Sequence, residues 1–216
     1  MSENKEAVHN ENKYVFNCMN TDKICIFTDT GKMHTIKAVD IPLGRFRDKG
    51  TPVDNLSNYD SSQERMLYVA PVGQLRSDRL LFVTKTSMCK LVEGAEFDVA
   101  KRTIASTKLA DEDELIFIGS ASEMEQIVLQ SHGGCFLRFL TQEVSTMKKT
   151  ALGVRGMKLA DDDYLEHAYL LAGHQEYTIS YHDKEYALNK VRLAKRDTKG
   201  IKRGYKKNLA FPEVRC

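Results

Sequence analysis

Hydrophobic residues in this chain fall in short continuous runs separated by polar turns, with no sustained 3.6-residue stripe. Ile24-Cys25-Ile26-Phe27 leads into Thr28-Asp29-Thr30-Gly31-Lys32, and Leu80-Leu81-Phe82-Val83 leads into Thr84-Lys85-Thr86-Ser87. Ile127-Val128-Leu129 runs into Gln130-Ser131-His132-Gly133-Gly134, and a fainter copy is Tyr177-Thr178-Ile179-Ser180-Tyr181-His182-Asp183-Lys184. Aligned on Thr28, Thr84, Ser131 and Ser180, the copies are spaced 56, 47 and 49 residues apart. Runs this short, rich in Ile, Leu, Val, Phe and Tyr and bounded by Gly, Asp, Ser and Thr, predict strands and tight turns. The Thr-Asp-Thr-Gly and Ser-His-Gly-Gly turns supply residues that tolerate positive φ. Because the runs are continuous, both faces of these strands are expected to be covered.

The second half of each unit recurs as well: a basic cluster, a Leu, then an acidic step into a new apolar run. The first unit has Arg45, Arg47 and Lys49, then Leu56 and Gln63-Glu64-Arg65-Met66-Leu67-Tyr68-Val69. The second has Lys101 and Arg102, Leu109, and Asp111-Glu112-Asp113-Glu114-Leu115-Ile116-Phe117-Ile118. The third has Lys148 and Lys149, Leu159, and Asp161-Asp162-Asp163-Tyr164-Leu165; the fourth keeps Lys195, Arg196 and Gly200. A period near 50 residues with about four strands per unit predicts an all-β, propeller-like array of about four blades. Tandem helix pairs are the competing architecture, and the missing 3.6 period argues against them. The expected units are 13–75, 76–122, 123–172 and 173–207, flanked by disordered tails at 1–12 and 208–216. Tyr14-Val15-Phe16-Asn17-Cys18-Met19 reads as a strand entering the first unit.

Composition changes this picture little, but the charge distribution adds to it. The net charge is only +2. From Lys148 onward, however, 15 Lys+Arg stand against 9 Asp+Glu, whereas residues 1–147 carry 17 against 21. Lys184–Lys207 alone holds ten basic and two acidic residues. Such a stretch fits a surface that contacts phosphates; a solvated basic tail is the plainer alternative. No apolar run approaches the roughly 20 residues of a membrane-spanning helix, so no membrane partner is expected. The five cysteines are scattered, with no C-x-x-C pair, and Cys25, Cys89 and Cys135 read as free buried thiols of a protein from a reducing cytoplasm.

With the units laid out this way, about residues 14 to 205 resemble the C-terminal domain of the A subunit of bacterial type IIA DNA topoisomerases, DNA gyrase and topoisomerase IV. The segments carrying the resemblance are Asn20 to Lys32, Ile41-Pro42 with Arg45 and Lys49-Gly50, Asp113-Glu114-Leu115-Ile116, and Ala151-Leu152-Gly153-Val154-Arg155-Gly156-Met157-Lys158-Leu159 before Asp162-Asp163. The resemblance implies a β-pinwheel whose neighbouring blades exchange strands and whose basic outer rim binds and bends duplex DNA without sequence preference. It also implies two protein partners, an ATPase B subunit plus the remainder of the A subunit, with a cytoplasmic, nucleoid-associated location. Gyrase's first blade in this family carries a Gln-Arg-Arg-Gly-Gly-Lys-Gly box, which this sequence lacks. Its nearest stretches are Arg45-Phe46-Arg47-Asp48-Lys49-Gly50 and Lys195-Arg196-Asp197-Thr198-Lys199-Gly200. The resemblance is therefore to a protein of topoisomerase IV type or to part of a domain.

Catalytic chemistry is not expected of this segment. DNA cleavage in the family uses a tyrosine directly after an arginine, and none of the nine tyrosines here follows Arg. No phosphate-binding G-x-x-x-x-G-K-[ST] loop is present, and no cofactor is expected. The acidic runs at Asp111–Glu114 and Asp161–Asp163 alternate faces when extended, so turns are a better reading than metal sites. The six histidines lack zinc spacing. The binding candidates are Arg45, Arg47, Lys49, Lys101, Arg102, Lys148, Lys149, Lys195, Arg196 and Lys199, followed by Arg155, Lys158, Lys202 and Arg203. Gly200 and Gly204 would let backbone approach a phosphate, or would simply serve turns. A propeller-type protein-interaction module is the rival function, favoured by the acidic N-terminal two-thirds.

Overall fold

A computed structural model describes residues 12–45, 48–173 and 176–203. The first apolar run becomes β1 (Lys23–Thr28), which turns into β2 (Lys32–Lys37). The same hairpin recurs as β4 (Arg79–Thr84) with β5 (Met88–Glu93), and as β8 (Gln126–Ser131) with β9 (Cys135–Leu140). In all three the fourth residue of the turn is left-handed: Gly31 at φ +75°, Ser87 at +73° and Gly134 at +81°. Its N–H donates to the carbonyl of the hydroxyl residue three positions back, Thr28, Thr84 or Ser131. The fourth hairpin, β12 (Thr178–Tyr181) with β13 (Lys184–Ala187), is tighter and turns on His182 and Asp183, both at positive φ. Ser180 therefore lies inside its strand instead of ending it, so alignment on the hydroxyl residue fails in the last unit.

A 3-10 turn follows every one of these hairpins, at Ala38–Asp40, Gly94–Phe97, Thr141–Glu143 and Leu188–Lys190. These turns set a truer register than the hydroxyls, starting 56, 47 and again 47 residues apart. The acidic steps lead into β3 (Met66–Pro71), β7 (Leu115–Ser120) and β11 (Leu165–Leu171), each lying beside the first strand of a hairpin. The only α-helix among the described residues is one turn, α1 (Val72–Leu75), which removes the helix-pair alternative.

The fourth strand of each sheet comes from the next unit. β6 (Thr103–Ala105) pairs with β2, β10 (Val154–Arg155) with β5, and β14 (Ile201–Lys202) with β9. Three four-stranded antiparallel sheets result, ordered β3-β1-β2-β6, β10-β5-β4-β7 and β11-β8-β9-β14, with β12-β13 as a two-stranded fourth. Tyr14 to Met19 form no strand, contrary to expectation. Both edges of β1 are already taken, by β2 and β3, and the segment is held by the Tyr14 hydroxyl, which donates to the Leu67 carbonyl at 2.7 Å.

The cores lie between sheets, which explains the unbroken apolar runs. Leu80 and Phe82 of β4 face the first sheet beside Phe27 and Phe97, while Leu81 and Val83 face the third beside Ile127 and Leu129. Val128 and Phe136 turn instead toward Leu188 and Val191 of the fourth unit. Alternate side chains of a central strand thus bury on opposite neighbours. Cys25 and Cys89 are free and fully buried, as expected. Cys135, also buried, departs from that expectation because it is disulfide-bonded. An apolar run reports burial but not whether a second thiol stands within bridging distance.

Candidate nucleic-acid interface

The basic clusters sit in the loops that follow the 3-10 turns; in the second to fourth units these loops lead into an exchanged strand. Arg45, Lys101, Lys148 and Lys195 each lie seven residues after the first residue of their turn. All four are exposed, as are Lys49, Arg102, Lys158, Lys199 and Lys202. Arg47 lies outside the described residues, as does Gly204.

In the third and fourth units the preceding unit anchors the loop through one repeated device. The backbone N–H of Lys149 donates to the Glu96 carboxylate at 3.2 Å, and that of Arg196 to the Glu143 carboxylate at 2.9 Å. Their side chains then return to the carbonyls of the same acids: Lys149 Nζ to Glu96 O at 3.0 Å, and Arg196 Nε to Glu143 O at 3.1 Å. Glu96 and Glu143 occupy the same place, third in their 3-10 turns. The second residue of each pair is thereby half-buried and committed to the fold, while the first projects. Lys148 is 81% exposed, and its Nζ forms an ion pair with the Glu96 carboxylate at 3.3 Å. The loop of the second unit is half as long, five residues at 98–102 against ten at 144–153 and at 191–200. There Arg102 uses its carbonyl to accept the Thr35 N–H at 2.8 Å.

Arg155 forms a two-pronged ion pair with Asp197, whose carboxyl is held below its ordinary value first by that hydrogen bond. The Lys158 N–H is bound to the Thr198 carbonyl at 2.9 Å, and Arg203 lies over the Tyr186 ring at 5.4 Å. Gly200 serves close packing: at φ +77° a Cβ there would lie 2.8 Å from the Phe136 carbonyl oxygen. Gly153 takes the same place in the preceding unit, at φ +111° and 2.7 Å from the Cys89 carbonyl oxygen.

The acidic steps cap turns. Glu64, Asp113 and Asp163 each stand two residues before their strand. Asp113 accepts the Thr86 N–H at 3.0 Å and Asp163 the Gly133 N–H at 2.8 Å. Glu64 reaches further, accepting the hydroxyls of Thr28 at 2.7 Å and Thr30 at 2.9 Å, with His34 Nε2 at 3.1 Å. No group of three or more metal-ligating side chains occurs among the described residues. Sequence reasoning missed the anchoring acids Glu96 and Glu143. Their one signal is a recurring acid five residues before the projecting cation, at Asp40, Glu96 and Glu143, which emerges only once the 3-10 turns supply the register.

Residues 22–61, 78–122 and 125–172 match the family described as DNA gyrase C-terminal domain, beta-propeller. The chain is 27% identical over 184 residues to the gyrase A subunit of Ureaplasma parvum, a match covering 82% of this chain and 22% of that protein. It is 31% identical over 144 residues to the gyrase A subunit of Salmonella typhimurium, covering 66% of this chain and 16% of that protein. The chain thus spans about a fifth of the length of the curated relatives it matches. Among solved structures, the C-terminal domain of DNA topoisomerase IV superposes with a TM-score of 0.78 at 22% identity, over 95% of this chain and 69% of that one. The DNA gyrase A C-terminal domain gives 0.63 at 22% identity, over 85% and 60%. These two likenesses establish the fold.

Proposed function

The chain belongs to the DNA gyrase C-terminal domain family, and from that premise we propose that it is a non-catalytic module that binds duplex DNA through phosphates and bends it. The observation that carries this reading is the recurrence of an exposed basic residue seven positions after the start of every 3-10 turn that follows a hairpin. In a propeller-like array this repetition sets Arg45, Lys101, Lys148 and Lys195 at successive points of a basic rim. Phosphates placed along such a rim are bound without reading bases, and a curved series of contacts favours bent DNA. The anchoring acids support the same reading, because a loop fixed to the neighbouring unit presents its lysine in one place. By analogy with its relatives, the module would work on nucleoid DNA beside an ATPase B subunit plus the rest of a topoisomerase A subunit.

Electrophoretic shifts of unrelated duplexes across 50 to 200 mM salt test this. A protein neutralising some six to ten phosphates loses about 10³- to 10⁵-fold in affinity over that range. Similar losses for every sequence are expected. Absence of duplex binding at the lowest salt contradicts the proposal and leaves the protein-interaction module as the alternative.

A further inference from the structure

Lys90 is the most deeply buried lysine or arginine among the described residues, at 1% exposure in the middle of β5. Its counterpart in the third unit is Leu137, also 1% exposed; both stand opposite the same strand position, Phe82 for Lys90 and Leu129 for Leu137. Packing at this place is therefore satisfied by leucine. A buried ammonium is costly, so its presence here calls for work that a hydrocarbon cannot do.

Nζ donates to three carbonyls of the neighbouring basic loop: Ala151 at 2.7 Å, Lys149 at 2.8 Å and Lys148 at 3.4 Å. An ammonium has three donors and no acceptor, so this set uses all three. We propose that Lys90 is a positioning residue for DNA contact by Lys148: its ammonium draws the carbonyls of the basic loop inward, which fixes the Lys148 side chain outward, and losing its proton loosens the loop. The inference rests on the DNA-binding reading given above. A neutral amine has two donors and a lone pair, and the lone pair would then face a carbonyl oxygen.

The groups around Lys90 are few. The Phe82 ring of β4 lies 5.8 Å away, Glu96 comes from the 3-10 turn, and the loop contributes Lys148 and Lys149. Burial pushes the Lys90 amine down to about 8, with Glu96 pulling it back upward. This places the change in an accessible range. Global stability moves the other way. The unfolded chain holds this proton up to about 10.5, so between the two values Lys90 favours folding more as pH rises. Loss of DNA affinity in that window is thus distinct from unfolding. In the fourth unit the Lys195 carbonyl is held by the Thr198 hydroxyl at 2.9 Å, a bond that does not titrate, so Lys195 serves as an internal control.

The test is duplex affinity by fluorescence anisotropy at pH 7.0 and 9.0, at fixed ionic strength, with the full chain. Wild type and Lys195→Ala should both weaken by about threefold or more on going to pH 9.0, the loss of one phosphate contact. Lys90→Met and Lys148→Ala should bind more weakly at pH 7.0 and lose that extra pH dependence. A wild-type pH profile in either of these two variants overturns the proposal. Should Lys90→Met fail to fold, wild-type NMR decides: the amide signals of Lys149 and Ala151 should follow the Lys90 Nζ titration. Amides that ignore that titration overturn the clamp. This second measurement needs no DNA, so a chain that binds no duplex refutes the functional reading without touching the clamp.

Discussion

Glu64 shows how much one side chain does for the first blade. Burial by itself would raise its carboxyl, yet hydrogen bonds from Thr28, His34 and Thr30 outweigh that and hold it below its ordinary value. His34 carries the network onward through Nδ1 to the Thr103 hydroxyl at 3.1 Å, on the exchanged strand β6. Because the folded state favours the carboxylate, its stabilisation is complete above pH 4.5 and is lost as pH falls through the lower folded value. Glu64→Gln should cost about 1–3 kcal/mol at neutral pH and shallow the acid limb of stability, followed by urea melts from pH 3 to 7. Unchanged stability at neutral pH would remove Glu64 from this role. The paired cations predict a contrast of their own. Arg196→Ala, which removes the Nε–H donated to the Glu143 carbonyl, should lower the melting temperature, whereas Lys195→Ala should leave stability unchanged within about 0.5 kcal/mol. The sequence marks both members of each pair as equivalent basic residues. Nothing in it distinguishes the anchor from the projecting lysine, because the residue that makes the difference lies 53 residues upstream of the anchor.

At the scale of elements, the hairpins were readable and the exchanged strands were not. Ile24 to Phe27 and Leu80 to Val83 are apolar throughout and flanked by turn residues, so their identity as strands covered on both faces followed directly. β10 and β14 are two residues each, and their pairing depends on a partner in the preceding unit. Their visible trace is Gly153 and Gly200, whose positive φ brings the chain against a neighbouring strand. Gly153→Ala should destabilise by about 1–3 kcal/mol, since a left-handed residue and a backbone clash coincide. Gly50→Ala has the strain without the clash and should cost about 1 kcal/mol, because among the described residues beyond its chain neighbours none comes within 4 Å of a Cβ placed there. Equal costs in thermal melts would mean that close packing does not fix Gly153. Tyr14 to Met19 misled for the opposite reason: the run is apolar enough for a strand, but no edge of β1 was left to receive it.

For the whole molecule, exchange of strands makes each unit incomplete without the next, so the array behaves as a chain of interlocked blades. The first and second sheets share one core, the second and third another, and the third and fourth a smaller one. The repeat period revealed this serial plan, while the basic series became legible only once the 3-10 turns gave a common register. The central claim is that the residues seven positions after the start of each 3-10 turn, Arg45, Lys101, Lys148 and Lys195, touch phosphate. The most direct measurement is the slope of log affinity against log salt for the chain and for Lys101→Ala/Lys148→Ala/Lys195→Ala. Three lost contacts should reduce the magnitude of the slope by about 2.7, at roughly 0.9 per phosphate, with the fold intact by circular dichroism. A slope unchanged by the triple substitution would contradict the account.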